Sequence, residues 1–140
     1  MAQTVADVMT TDPVTIEASE SVTEAARRMS TADSGAIIVL DNGRVTGMIT
    51  DRDIAIRVVA EGRDVATTTT GEAASQDELV TVAPDTSLQQ AVQLMRSKAV
   101  RRLPVVQDDR AVGILSIGDL AVELDETSAL ADVSAAESNT

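Results

Sequence analysis

The chain of 140 residues contains no cysteine, no histidine and no aromatic residue. Without Cys or His it can form no disulfide, no thiolate or imidazole metal site, and no Ser-His-Asp or Cys-His catalytic set. Without Phe, Tyr or Trp its core must be built from Val, Ile, Leu, Met and Ala, with Met as the adaptable filler. It also has no ring on which the bases of single-stranded RNA could stack. Positive charge is scarce: ten arginines and one lysine (Lys98) stand against 23 Asp and Glu, a net charge of −12. Such a surface repels nucleic acid and anionic lipid, so neither is expected as a partner. No apolar run has the length of a membrane span or the make-up of a signal peptide, and a cytoplasmic location is expected.

What is present is a repeat. Shifted by 66 positions, the chain falls on itself without a gap: Val14-Thr15-Ile16 on Val80-Thr81-Val82, Ser21 on Ser87, Ala25 and Met29 on Ala91 and Met95. Further on, Val39 falls on Val105, Arg44 on Arg110, Gly47 on Gly113, Thr50 on Ser116, Asp53 on Asp119 and Ile54 on Leu120. One supersecondary unit is used twice. Half of this chain buries only a marginal core alone, so two fused halves sharing a buried face are expected.

Each unit reads strand, helix, strand, strand, helix. Thr4 to Met9 predicts a short helical lead-in capped by Thr4, and Val14-Thr15-Ile16 a β-branched strand. Ser21-x-x-Glu24 and Ser87-x-x-Gln90 are capping-box patterns. They open helices with apolar stripes at Val22, Ala25, Ala26, Met29 and at Leu88, Ala91, Val92, Met95. Ala36 to Leu40 and Arg44 to Thr50 form a hairpin through Asp41-Asn42-Gly43; its copy runs from Leu103 to Val106 and from Arg110 to Leu115 through Gln107-Asp108-Asp109. The last helices are Asp51 to Ala60, burying Ile54, Val58 and Val59 and ended by Gly62, and Ile117 to Leu124. Arg63 to Thr70 links the units, with Thr70 placed to cap a turn through Glu72-Ala73-Ala74. The units span residues 4–64 and 65–124. Residues 125–140 form an acidic tail, expected to be largely disordered, in which Leu130 and Val133 are candidate contacts.

Two heptads carry the candidate chemistry: GMITDRD, from Gly47 to Asp53, and GILSIGD, from Gly113 to Asp119. Each places a hydroxyl and, three residues on, an Asp where a strand runs into a helix. Free N–H groups at a helix start and the hydroxyl of Thr50 or Ser116 suit a phosphate. A carboxylate one turn later can accept both hydroxyls of a ribose. The same spacing also serves as a plain N-cap, and both readings stand.

The five-element unit, the G-h-h-[ST]-x-x-D ending and VRRLPVV (Val100 to Val106) resemble the cystathionine-beta-synthase (CBS) domain, and two in tandem resemble a CBS pair over residues 4 to 124. The resemblance implies an α/β fold of two β-α-β-β-α units related by a pseudo-twofold axis, packed through their sheets. It also implies two clefts that hold AMP, ADP, ATP or S-adenosylmethionine in many members, and assembly as a homodimer. Carried over, Thr50 and Ser116 match the phosphate- or ribose-contacting hydroxyl, and Asp53 and Asp119 the ribose-binding carboxylate. Thr15 and Thr81 match positions whose backbone reads the base edge. Leu103-Pro104-Val105 and Ile37-Ile38-Val39 match the apolar wall against the base, although core strand explains them equally well. The first copy departs from the pattern, with Ile38 where the second has Pro104. Arg52, Arg101 and Arg102 are the candidate phosphate clamps, with Arg57 a weaker one. Arg52 falls on Gly118 and the arginine pair on Gly35-Ala36, so the two sites should differ.

The leading expectation is a non-catalytic regulatory module that needs no cofactor and binds an adenine nucleotide or S-adenosylmethionine. With no effector domain in the chain, its output would need a separate effector protein. The competing reading is a dimerisation scaffold whose hydroxyls only cap helices. An enzyme is not expected, because no nucleophile-base pair or metal cluster is legible, and the acidic tail lacks a defined cation loop.

Overall fold

The structure is a computed structural model that describes residues 3–74 and 79–124. The acidic tail, with Leu130 and Val133, lies outside the described residues, as does residue 78 with the three before it. The chain divides into two compact units, one of residues 14–74 with Leu79 and one of residues 3–13 with 80–124.

In the unit of the first repeat, β2 (Thr15–Glu17) runs parallel to β3 (Ala36–Asp41), which pairs antiparallel with β4 (Arg44–Thr50). The helix α2 (Val22–Ala32) connects β2 to β3. Ile37, Val39 and Ile49 point from the sheet into one cluster with Val22, Ala25 and Met29 of α2. The hairpin turn has the positive φ angles that Asn-Gly supplies, +53° at Asn42 and +84° at Gly43. Glu17 pins this turn by accepting the N–H of Asn42 at 2.9 Å.

In the unit of the second repeat, α5 (Leu88–Lys98) precedes the antiparallel pair β5 (Arg102–Gln107) and β6 (Arg110–Ser116), followed by α6 (Ile117–Leu124). The first strand of this copy shrinks to one parallel bridge, Val82 to Val105. On the other edge, β1 (Thr10–Thr11) pairs with β6, setting Thr11 opposite Gly113. A Cβ at Gly113 would lie 2.6 Å from Met9 Sδ and 2.9 Å from the Thr10 carbonyl oxygen, so this close approach requires glycine.

Two short helices complete the cores. The lead-in α1 (Val5–Val8) packs on the second repeat, where Val5 is fully buried beside Leu88, Leu103 and Leu115. Its counterpart α4 (Thr70–Ala73) packs on the first, where Ala73 is fully buried with Val22 and Ile16. The backbone bonds match: Val5 and Ala6 donate to Thr86 and Pro84, both at 2.9 Å, and Thr70 and Gly71 donate to Glu20 and Ala18 at 2.7 and 2.9 Å. Each lead-in helix thus closes the repeat that it does not introduce.

Several local expectations change. Only the hydroxyl half of the Ser21 and Ser87 boxes forms, with Ser21 accepting from Glu24 N–H at 3.2 Å and Ser87 from Gln90 N–H at 3.1 Å. Glu24 instead faces Arg28 Nε at 3.5 Å, one helical turn on. Ala26 is exposed, because the β3–β4 sheet takes a narrower stripe of α2 than the pattern suggested. The cap of α4 is Thr69 rather than Thr70, whose side chain is buried and bonds to the Ser21 carbonyl at 3.3 Å. After four α-helical residues (α3, Asp51–Ile54), the helix after β4 widens into a π turn over Ala55–Val59. Ala60 N–H donates to the Ala55 oxygen at 2.8 Å. The extra residue per turn buries Val58 but rotates Val59 outward to 61% exposure, against expectation.

Candidate functional site

Each heptad ends in a reciprocal cap. Thr50 Oγ1 accepts the N–H of Asp53 at 3.1 Å, while Asp53 Oδ2 accepts the N–H of Thr50 at 2.9 Å. Ser116 and Asp119 repeat this with 3.1 Å and 3.0 Å. The strand delivers the hydroxyl with extended backbone and the next residue turns helical, so the first turn's N–H groups face the same end. Each hydroxyl keeps its own proton to donate, and each Asp commits only one carboxylate oxygen to the cap.

The second oxygens differ. Asp53 Oδ1 lies 3.7 Å from Arg57 Nε, and Arg57 also donates to the Ala74 carbonyl at 3.3 Å. At Arg57 the other copy has Glu123, and Asp119 Oδ1 has no hydrogen bond or ion pair among the described residues. Both Asp53 and Asp119 are half-buried.

The hairpin register supplies the other difference. Arg102 sits directly opposite Ser116 across β5 and β6, and Ile117 N–H donates to the Arg101 carbonyl at 2.8 Å. The arginine pair is therefore strung beside the Ser116–Asp119 turn. In the first copy the same places hold Ala36, opposite Thr50, and Gly35, which accepts from Asp51. Positive charge near the first turn comes instead from Arg52, which is exposed, and from Arg57.

The remaining candidates fall as follows. Leu103 is fully buried in the core with Val105, while Pro104 lies on the opposite face of β5 and is also buried. Thr15 is half-buried opposite Ile38 in β2, and its carbonyl accepts from Arg28 at 2.7 Å, which the sequence pattern did not reveal. Thr81 is half-buried next to the Val82 bridge, and Leu94 stands where the first copy has Arg28. Thr15, Thr50, Arg52 and Asp53 thus belong to the first unit, and Thr81, Arg101 to Pro104, Ser116 and Asp119 to the second.

The CBS domain family model matches residues 5–60 and again 71–126. The chain belongs to the CBS domain family. It is 46% identical over 118 residues to the CBS domain-containing protein YhcV of Bacillus subtilis, covering 84% of this chain and 83% of that one. A crystal structure of Hypoxic Response Protein I with two coordinated zinc ions superposes with a TM-score of 0.77 at 37% identity, covering 84% of this chain and 96% of that one. CBSX2 in complex with AMP shares the fold, with a TM-score of 0.74 at 24% identity over 89% of this chain and 98% of that one. This CBS pair has no Cys or His, and among the described residues no three Asp or Glu converge on a possible metal position. Among the described residues no helix is long and apolar enough to cross a membrane.

Proposed function

We propose that this CBS pair is a non-catalytic regulatory module whose strand-to-helix junctions bind an adenosine-containing ligand, the second junction more tightly than the first. The observation that carries this reading is the Ser116–Asp119 turn, whose second carboxylate oxygen has no partner among the described residues and whose hydroxyl has Arg102 opposite it. The Asp119 carboxylate would accept the ribose hydroxyls, Ser116 would donate to ribose or phosphate, and Arg101 and Arg102 would neutralise the phosphates. At the first junction Thr50 and Asp53 take the same roles, with Arg52 near the phosphate, and Thr15 and Thr81 present backbone to the base. Pro104 forms an apolar wall, while Leu103 supports it from the core. The module would act as a cytoplasmic homodimer and signal to a separate effector protein through its differing affinity in two states.

Titration calorimetry with AMP, ATP and S-adenosylmethionine tests this directly. The informative variant is Asp119→Asn, because an amide oxygen still accepts the Ser116 N–H and keeps the cap, but the side chain loses its charge. One charge-assisted hydrogen bond is worth about 1.5–3 kcal/mol, so affinity should fall roughly 10- to 100-fold with the melting temperature nearly unchanged. Asp53→Asn should change affinity less. Arg101→Ala and Arg102→Ala should weaken ATP more than AMP. If none of the three ligands binds, the scaffold reading replaces this one; it is favoured by the fact that both hydroxyl-Asp pairs already act as complete caps.

A further inference from the structure

The turn between β3 and β4 holds a chemically reactive pair. Of the two asparagines in the chain, Asn42 and Asn139, only Asn42 is followed by glycine. Asn42 is exposed, and Gly43 has no side chain to keep its backbone nitrogen from the Asn42 side-chain carbonyl carbon. That nitrogen can attack Cγ of Asn42, forming a C–N bond and expelling the side-chain nitrogen as ammonia, which carries off the displaced proton. Water then opens the cyclic imide at either carbonyl, leaving aspartate or an isoaspartyl link. A water is consumed and an ammonia released, with no oxidation or reduction.

Glu17, the last residue of β2, restrains this step. Its Oε1 accepts the N–H of Asn42 at 2.9 Å and its Oε2 that of Gly43 at 3.3 Å. The Gly43 nitrogen must shed its proton to attack, and a carboxylate that accepts a hydrogen bond from this N–H favours the protonated form. The same negative charge opposes charge building up on the nitrogen. The two bonds also hold residues 42 and 43 in the left-handed backbone of the turn. Conversion reverses the relation. The product adds a second carboxylate beside Glu17, and like charges repel.

The duplication supports this opposition. Shifted by 66 positions, Asn42 falls on Asp108, Gly43 on Asp109 and Glu17 on Ala83. Asp108 has φ +54° against +53° at Asn42, so an aspartate fits the same backbone. The copy with carboxylates in the turn has none at the place of Glu17, and the copy with Glu17 has an amide in the turn. We propose that Asn42 is a site of spontaneous deamidation, that Glu17 holds the reaction back, and that the product releases Glu17 from the turn. The first repeat thus carries a slow modification, needing no enzyme, that the second cannot undergo because aspartate is already in place.

Peptide mass spectrometry of the full chain aged in neutral buffer reads the step as exchange of NH2 for OH at Asn42. Glu17→Ala should speed it roughly tenfold, the effect of losing one hydrogen bond to a charged group. Glu17→Gln, which keeps an acceptor and loses the charge, should fall between, and serves alone should the alanine variant unfold. Glu20→Ala, which removes an exposed carboxylate that makes no bond to the turn, should leave the rate unchanged. Amide exchange along α2 should match the parent chain in all three variants. Equal rates in the parent and the Glu17 variants, no conversion in any of them, or acceleration that tracks faster exchange along α2 would overturn the proposal. Asn42→Asp should lower the melting temperature of the parent but not that of Glu17→Ala or Glu17→Gln. Equal lowering in both backgrounds would overturn the release of Glu17.

Discussion

The two repeats solve one local problem identically and differ in everything placed around it. At both strand-to-helix junctions a hydroxyl and an Asp exchange backbone bonds within 0.2 Å of the same lengths. Around that constant cap, the first repeat holds Arg57 against Asp53 and widens its helix into a π turn, while the second sets Arg102 opposite Ser116 and continues regularly through α6. The cap is what folding needs from the motif. The surroundings are where the copies have been free to diverge, and differences in ligand affinity should arise there.

The largest expected effect concerns the glycines at the heads of the two heptads. Gly113 lies beneath Met9 and Thr10, and one of the colliding atoms is backbone, so Gly113→Ala should cost about 1–3 kcal/mol in urea unfolding, as overpacking does. At Gly47 no described residue comes within 4 Å of an added Cβ, and Gly47→Ala should stay within about 0.5 kcal/mol. Equal losses at the two sites would show that the contrast between the β4 and β6 surfaces is wrong.

The caps should behave as equals. Thr50→Ala and Ser116→Ala each remove one capping acceptor and should each cost about 1 kcal/mol of stability. The ligand titrations should still separate them, with Ser116→Ala weakening binding more. Matched losses in stability with unmatched losses in affinity would split the fold role of the motif from its binding role. Matched losses in both would remove the inequivalence.

Much of this division was legible in the sequence. The repeat, the hairpins and the two hydroxyl-Asp pairs follow from spacing, and the hairpin register then dictates that Arg102 faces Ser116. Other features left no local signal. Val5 and Val8 would fit the core of either repeat, so their pattern does not say that α1 closes the second. The π turn in Ala55–Val59 has no Gly or Pro to mark it, and the helical spacing of Val59 points to the core although the turn sends it outward. Arg28 meets Glu24 at the ordinary i,i+4 helix spacing, but its reach to the Thr15 carbonyl on β2 follows from no pairing rule along one helix. Long side chains that choose among several partners are the part of a site that a pattern describes least well.

A smaller contrast lies at the helix ends. Both α2 and α5 stop at a residue with left-handed backbone, Asp33 at φ +51° and Ala99 at φ +55°. Asp tolerates this region because its short polar side chain bonds locally, whereas Ala has no such compensation. Ala99→Gly should therefore stabilise the chain by about 0.5–1 kcal/mol, the steric relief being partly offset by a more flexible unfolded state. Asp33→Gly should change stability less. A loss of stability in Ala99→Gly would show that the strain at this cap is absent.

The smallest effects concern the carboxylates that open the two exchanged helices. Asp7 is held below its ordinary pKa chiefly by the N–H of Gln3, then by that of Thr4. Glu72 is lowered chiefly by the Thr69 hydroxyl, then by the Thr69 N–H, with Arg63 at 2.7 Å adding to it. A carboxylate whose pKa is depressed by folding stabilises the native state above its unfolded pKa. That contribution is lost as pH falls through the folded value, on the acid side of the ordinary carboxylate range. Asp7→Asn and Glu72→Gln should therefore each lower the melting temperature slightly at pH 7, and the difference from the parent chain should close in acid. Salt separates the pair, because a surface ion pair is screened whereas close backbone bonds are much less so. In 1 M NaCl the Glu72→Gln effect should shrink and the Asp7→Asn effect persist. A deficit that stays constant from pH 7 into acid for either variant would mean that its carboxylate charge contributes nothing to closing that repeat.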